Sequence, residues 1–367
     1  MKHETSGTPL PLHALLSQVL VAYTLEFDNA FERDMPHRTT DYPTSAPAGA
    51  PWLVSMVMWT GCLRFIPEDG IDIATLAPLT RRSPARLKLL LKRLGRWWGY
   101  LHLDHQGIVR PTPYGLQAQQ IWSCLPSLLD TNWRSRFGDA RVDQLLASLR
   151  TLWRQIDPHL PDWLPTLGYG LTCAPPEGSH EAAATMDNAP AEPQLAGMVS
   201  RLLLAFALEF ERTSPVSLAI CANVLRLAEG SGASLRSLPQ LAGVSSESIG
   251  MASRFLEAKH YAVRQRAADA KAGKMLRLTR SGEVARAAHG QITEEIEQGW
   301  EHRFGADAVV SLRAVLQDFG EAEQAGESLL LRGTIPPPEC WRAKLPLIRT
   351  LPHFPMVLHR GGFPDGA

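Results

Sequence analysis

A chain that repeats itself has to bury the same faces twice, and this one repeats itself along most of its length. LVAYTLEF at 20–27 returns as LLAFALEF at 203–210, and LRF at 63–65 returns as LRL at 225–227. Leu76, Leu79, Ser83, Leu87 and Leu94 recur 162 positions later as Leu238, Leu241, Ser245, Ile249 and Leu256. Arg110-x-Thr112-x-x-Gly115 recurs 167 positions later as Arg277-x-Thr279-x-x-Gly282, and Trp133-x-x-Arg136-Phe137-Gly138 as Trp300-x-x-Arg303-Phe304-Gly305. The offset grows by five between the two sets, and the added residues fall in a predicted hairpin, where an insertion is easiest to carry. Two copies of one fold are therefore expected, over 13–156 and 195–320. A Pro-, Gly- and Ala-rich linker over 157–194 joins them, and a Pro-rich tail over 321–367 belongs to neither.

Apolar spacing predicts the elements of each copy. In the first copy a long helix spans 13–33, a second runs about 52–65 and a short third about 73–79. A fourth begins at Ser83-Pro84, where serine caps and proline suits the first helical position. The segments 100–103 and 108–110 bracket a short turn and read as a hairpin, and two helices follow over about 115–135 and 139–156. In the second copy, helices over 195–212 and about 245–259 are followed by a longer hairpin across Arg264–Gly282 and helices within 283–319. The tail has too many prolines for long helices, but enough apolar residues to pack along a surface.

The bulk numbers place the chain among soluble proteins. It has 367 residues, 45% of them hydrophobic, with no leader-like N-terminus and no apolar run of membrane-spanning length. A cytoplasmic protein without membrane contact is expected. Five cysteines, far apart and without C-x-x-C spacing, indicate buried thiols and neither disulfides nor a zinc site. Net charge is zero, yet it is unevenly distributed. Residues 51–115 carry nine Lys/Arg against four Asp/Glu and residues 216–282 ten against four, while 283–327 carry three against ten. Local potential decides what a surface attracts.

Helix, helix, short helix, basic helix, hairpin, long helix, helix: this order, with Ser245 to Leu256, then Val263-Arg264, Asp269-x-Lys271 and Leu276-x-Leu278-Thr279-x-x-Gly282, resembles the MarR-type winged helix-turn-helix transcriptional regulators. The resemblance implies a mainly α fold with small β-hairpin wings, as two tandem winged helix-turn-helix domains forming an intramolecular pseudo-dimer. Members of that family are typically homodimers built from their first and last helices, so this chain is expected to be a monomer with an internal pseudo-two-fold. The resemblance further implies that helices about Ser83–Arg96 and Ser245–Lys259 enter the major groove of double-stranded DNA, with the wings reaching neighbouring backbone. Leu89 and Met251 stand where the family often has arginine, His260 where it has glycine, and His102 and His105 where the first wing would carry arginines.

The candidate DNA-binding residues are Arg81, Arg82, Ser83, Arg86, Lys88, Lys92 and Arg93 in the first copy. In the second they are Ser245, Ser246, Ser248, Arg254, Arg264, Arg266, Lys271 and Lys274. The cations can neutralise phosphates and the serines can cap or hydrogen-bond the duplex. The first copy is helix-heavy and the second wing-heavy in positive charge, which fits an asymmetric site. A small aromatic effector, as the resemblance suggests, would enter the crevice where helices 13–33 and 52–65 approach the fifth helix. Trp133 and Trp300 read as core. His102, Asp104 and His105 lack the supporting ligands of a metal site, no cofactor is implied, and the phosphate-loop and metalloprotease motifs of common enzymes are absent. The other class left open is a winged-helix interaction or dimerisation module without DNA binding.

Overall fold

The computed structural model describes residues 9–35, 55–164, 193–230, 232–266, 273–338, 343 and 347–356, without the side chains of Ser55, Arg93 and Trp97. Among these residues it is mainly helical with small antiparallel sheets. The first half runs α1 (Leu12–Asp34), α2 (Ser55–Gly61), a 3-10 turn (Leu63–Phe65), β1 (Ile71–Asp72), α3 (Ile73–Leu79), α4 (Pro84–Trp98), β2 (Leu101–Leu103), β3 (Ile108–Pro111), α5 (Pro113–Phe137) and α6 (Asp139–Trp153). The second half repeats that order as α7 (Leu195–Thr213), α8 (Leu218–Asn223), a 3-10 turn (Leu225–Leu227), β4 (Ala233–Ser234), α9 (Leu238–Ala242), α10 (Ser246–Ala258), β5 (Ala262–Arg266), β6 (Lys274–Leu278), α11 (Arg280–Phe304) and α12 (Ala306–Glu321). Beyond it lie a hairpin of β7 (Glu323–Gln324) and β8 (Glu327–Ser328) and the short α13 (Leu329–Gly333). The sheets are equivalent, ordered β1-β3-β2 and β4-β6-β5, and each adds a two-residue strand to the expected hairpin.

The T-x-x-G motif explains why these halves look alike. Thr112 caps α5: its hydroxyl accepts from the Gly115 amide at 3.0 Å and donates to the Gly99 carbonyl at 2.7 Å. Thr279 does the same at α11, accepting from Gly282 at 3.2 Å and donating to His260 at 2.7 Å. One hydroxyl thus ties the end of the fourth helix of each half to the start of the fifth. Glycine is required because a Cβ on Gly115 or Gly282 would lie 2.0 Å from the carbonyl oxygen of Tyr100 or Tyr261. Those tyrosines are 161 positions apart, so the change of offset is one residue lost at the end of α10 and six gained in the hairpin.

A second repeated motif anchors the long helices. Trp133 and Arg136 on α5 both hold Glu26 on α1: the indole N–H donates at 3.1 Å, and the guanidinium donates to both carboxylate oxygens at 2.9 and 2.7 Å. Trp300 and Arg303 hold Glu209 on α7 in the same way. The tryptophans are fully buried, the structural role expected of them.

The halves share one core. α1 packs on α7, each of these lies against the last long helix of the other half, α12 and α6 respectively, and α6 packs on α12. Phe137 meets Phe319 with ring centres 4.5 Å apart, and Arg141 pairs with Asp318 at 2.5 Å. α1 is buried nearly all round. Its low amphipathicity follows, because a helix apolar on most sides belongs in a centre and not on a surface.

The tail and the start of the linker depart from expectation. Leu160-Pro161-Asp162-Trp163 and Leu351-Pro352-His353-Phe354 form a further repeat, 191 positions apart, and they dock on equivalent sites. Trp163 lies over Phe65 with ring centres 5.6 Å apart and against Gly61, while Phe354 is fixed to Asn223 by hydrogen bonds of 2.7 and 3.3 Å. Arg81 donates to the His159 carbonyl at 2.8 Å. Its counterpart Gly243 lies under the Thr350 carbonyl, so close that a Cβ would be 2.3 Å away. Each strap also reaches the other half: a Cβ on Gly197 of α7 would lie 3.4 Å from Asp162, and Ser17 of α1 donates to the Pro352 carbonyl at 2.7 Å. The last described part of the tail is therefore the second member of a pair, not an appendage. The linker from 165 to 192 lies outside the described residues.

Cys62 and Cys221 are the buried thiols expected, whereas Cys124 is exposed on α5, where its position faces away from α1. Cys173 and Cys340 lie outside the described residues. Among the described residues no helix is long and apolar enough to cross a membrane.

Candidate nucleic-acid interface

The outward face of α4 follows from its inward one. Leu87, Leu90, Leu91 and Leu94 are buried, which at 3.6 residues per turn sends Lys88, Leu89, Lys92 and Arg96 outward, with Arg86 also exposed. Ser83 caps the helix and Pro84 opens it. No acidic residue lies between Pro84 and Trp98, so the helix itself places no opposite charge beside this stripe. Arg93 is on the same helix, its side chain outside those described.

Not every basic candidate joins the stripe. Arg82 turns inward, donating to the Gly61 carbonyl at 3.0 Å and the Thr80 carbonyl at 3.2 Å. Arg81 sits in the left-handed region at φ 53° and reaches the strap. Both arginines fasten the turn between α3 and α4, a role that their place in a basic run does not reveal.

In the second half α10 is poor in charge. Ser245 and Ser248 are buried and bond each other at 2.9 Å, with Ser245 accepting from the Ser248 amide at 3.1 Å. They form the cap and do not face outward; Ser246 stays partly exposed. Arg254 is the exposed cation on this helix, one turn from Glu257. Positive charge moves instead to the hairpin, where Arg264, Arg266, Lys274 and Arg277 are exposed. Arg264 pairs back to Glu257 at 2.5 Å, and Arg266 stands directly across from Lys274. Lys271 and the loop 267–272 lie outside the described residues.

The first hairpin is compact by contrast. Asp104 accepts from the Ile108 and Gln106 amides, each at 2.9 Å, and from Arg110 at 2.8 Å. The Ile108 amide first, and then the Arg110 guanidinium, hold its carboxyl below the usual range. This carboxylate is committed to closing the turn, and among the described residues no group of three His, Cys, Asp or Glu can hold a metal ion.

The crevice considered for an aromatic effector is filled by the protein's own rings in the first half. Trp122 is fully buried, stacked on Phe31 at 4.6 Å and on Trp59 at 5.8 Å. Tyr100 closes it edge-on at 5.5 Å.

No family model, no curated protein and no solved structure matches the chain. A functional reading therefore rests on this geometry alone.

Proposed function

We propose that the protein is a tandem winged helix-turn-helix reader of duplex DNA and a transcriptional regulator, with both halves of a two-fold reader in one chain. The observation that carries the reading is that exposed cations gather on a different element of each half, on α4 in the first and on the β5–β6 hairpin in the second, while one shared core joins those halves. An α-helix with lysines and arginines along one side suits the major groove, and a basic two-stranded ribbon suits the backbone beside it. Leu89, 48% exposed in the middle of the α4 stripe, fits an apolar contact with a thymine methyl. On this reading α4 supplies base contact in one half-site, and the second hairpin supplies backbone grip in the other.

The test is fluorescence anisotropy on duplexes enriched from a random pool, titrated over salt. Neutralising six to ten phosphates would lower affinity by about 10³–10⁵ between 50 and 200 mM salt. Replacing Lys88 and Lys92 by alanine, or Arg266 and Lys274, reduces the log–log slope by roughly one for each phosphate that is no longer neutralised. Absence of salt-dependent binding to every enriched duplex refutes the reading. Leu89 also favours a second reading, an interaction module, since an exposed leucine suits a protein partner equally; capture of a partner that survives Lys88→Ala and Lys92→Ala but is abolished in Leu89→Ala would select it.

A further inference from the structure

The two straps differ at one position that matters electrostatically. In the first half, Asp162 accepts from both terminal nitrogens of Arg64, at 3.1 and 2.5 Å. The corresponding pair in the second half is Arg226 and His353, so the strap there brings an imidazole where the other brings a carboxylate. Among the described residues Arg226 forms no ion pair. Its Nε donates to the Ala222 carbonyl at 2.9 Å, and Glu229, the acid whose charge acts on it, is paired with Arg286 at 3.0 Å.

The polar groups that Arg226 acts upon are themselves unsatisfied. His13 is fully buried, with no hydrogen bond to either ring nitrogen, and His289, 9% exposed, has none at Nε2. Nδ1 of His353 has none either. The His13 and His289 rings are 5.8 Å apart, with Phe206 and Phe210 beside them. Burial first, and then the Arg226 charge, push His289 down to about 4 and His353 to about 3, and burial chiefly lowers His13. After burial, His289, His353 and Arg226 act on His13 in that order, and the last group to do so, Arg313, is paired with Glu297. The partly buried Arg226 thus acts on three imidazoles, and among the described residues no acid bonds to any of the four; buried donors left without acceptors are costly.

We propose that a small carboxylate binds between Arg226 of the second half and the histidines 13, 289 and 353, beside the position where the first half carries Asp162 and the second His353. A guanidinium and imidazole N–H groups are the donors that a carboxylate takes best. The ligand is the size of formate or acetate. Phe354 is fully buried and Asn223 holds the strap backbone through its side-chain amide, accepting from His353 and Phe354 and donating to the Phe354 carbonyl, so a benzene ring enters only by displacing the strap. This inference does not depend on DNA binding.

Thermal unfolding of the full chain without DNA, in sodium formate against sodium chloride at equal ionic strength, tests it. Formate should raise Tm by roughly 2 °C at ten times its Kd, and benzoate should not. His353→Asp supplies the carboxylate from within the chain: it should raise Tm in chloride and abolish the formate shift, and Arg226→Gln should abolish the shift without raising Tm. Calorimetric titration of formate into the wild type and His353→Asp gives the same contrast without relying on unfolding. No formate shift in the wild type, a shift kept in either variant, or an equal shift with benzoate overturns the proposal.

Discussion

His260 is a residue in a glycine's place. It closes α10 at φ 60°, and the residue that closes α4, Gly99, has φ 72°. A left-handed conformation costs a residue bearing a Cβ about 1–2 kcal/mol, partly offset in a variant by the greater freedom of glycine in the unfolded chain. His260→Gly is therefore expected to stabilise the protein by about 0.5–1 kcal/mol, read as a higher denaturant midpoint with an unchanged slope. An unchanged midpoint would mean that the exposed imidazole offsets its strain through an interaction of its own. Gly99 shows the residue that this position favours, and the positive φ of His260 gives its departure a physical meaning. Residue-level roles were otherwise the least legible: Arg82 and Lys88 look alike in a basic run, and only the fold decides that one bonds the Gly61 carbonyl while the other faces outward.

At the scale of elements the repeat was legible because its motifs perform backbone tasks. Thr112 and Thr279 each cap a helix, and Gly115 and Gly282 each let that helix touch a tyrosine carbonyl. The strap repeat is invisible in the sequence because two prolines and leucines in a loop are weak signals until the chain is folded; only the docking of Trp163 and Phe354 at equivalent sites makes Leu-Pro-x-aromatic a motif. The clamps between first and fifth helices differ between halves in a way that can be measured. Glu26 and Arg136 are 9% and 15% exposed, and a Cβ on Gly333 of α13 would lie 2.2 Å from the guanidinium; Glu209 and Arg303 are 21% and 48% exposed. Removing one partner of a buried pair costs about 3–5 kcal/mol, whereas an exposed pair contributes about 0.2–1 kcal/mol. Glu26→Ala should thus lower unfolding free energy far more than Glu209→Ala, with chemical denaturation as the measurement. Equal losses would contradict the difference in burial between the two clamps.

For the whole molecule, the crossing of α1 with α12 and of α7 with α6 places within one chain an interface that would otherwise need two. Asymmetry then becomes possible, since each half can change without its partner: charge has gathered on a helix in one and on a hairpin in the other, and a strap carboxylate is present in one and replaced by His353 in the other. On the proposed function a single chain reads duplex DNA with both halves. Sedimentation velocity of the protein with a fluorescent enriched duplex measures this directly. The prediction is a complex of one chain per duplex at about 50 mM salt that dissociates by about 200 mM; two chains per duplex, or no complex at low salt, would contradict it.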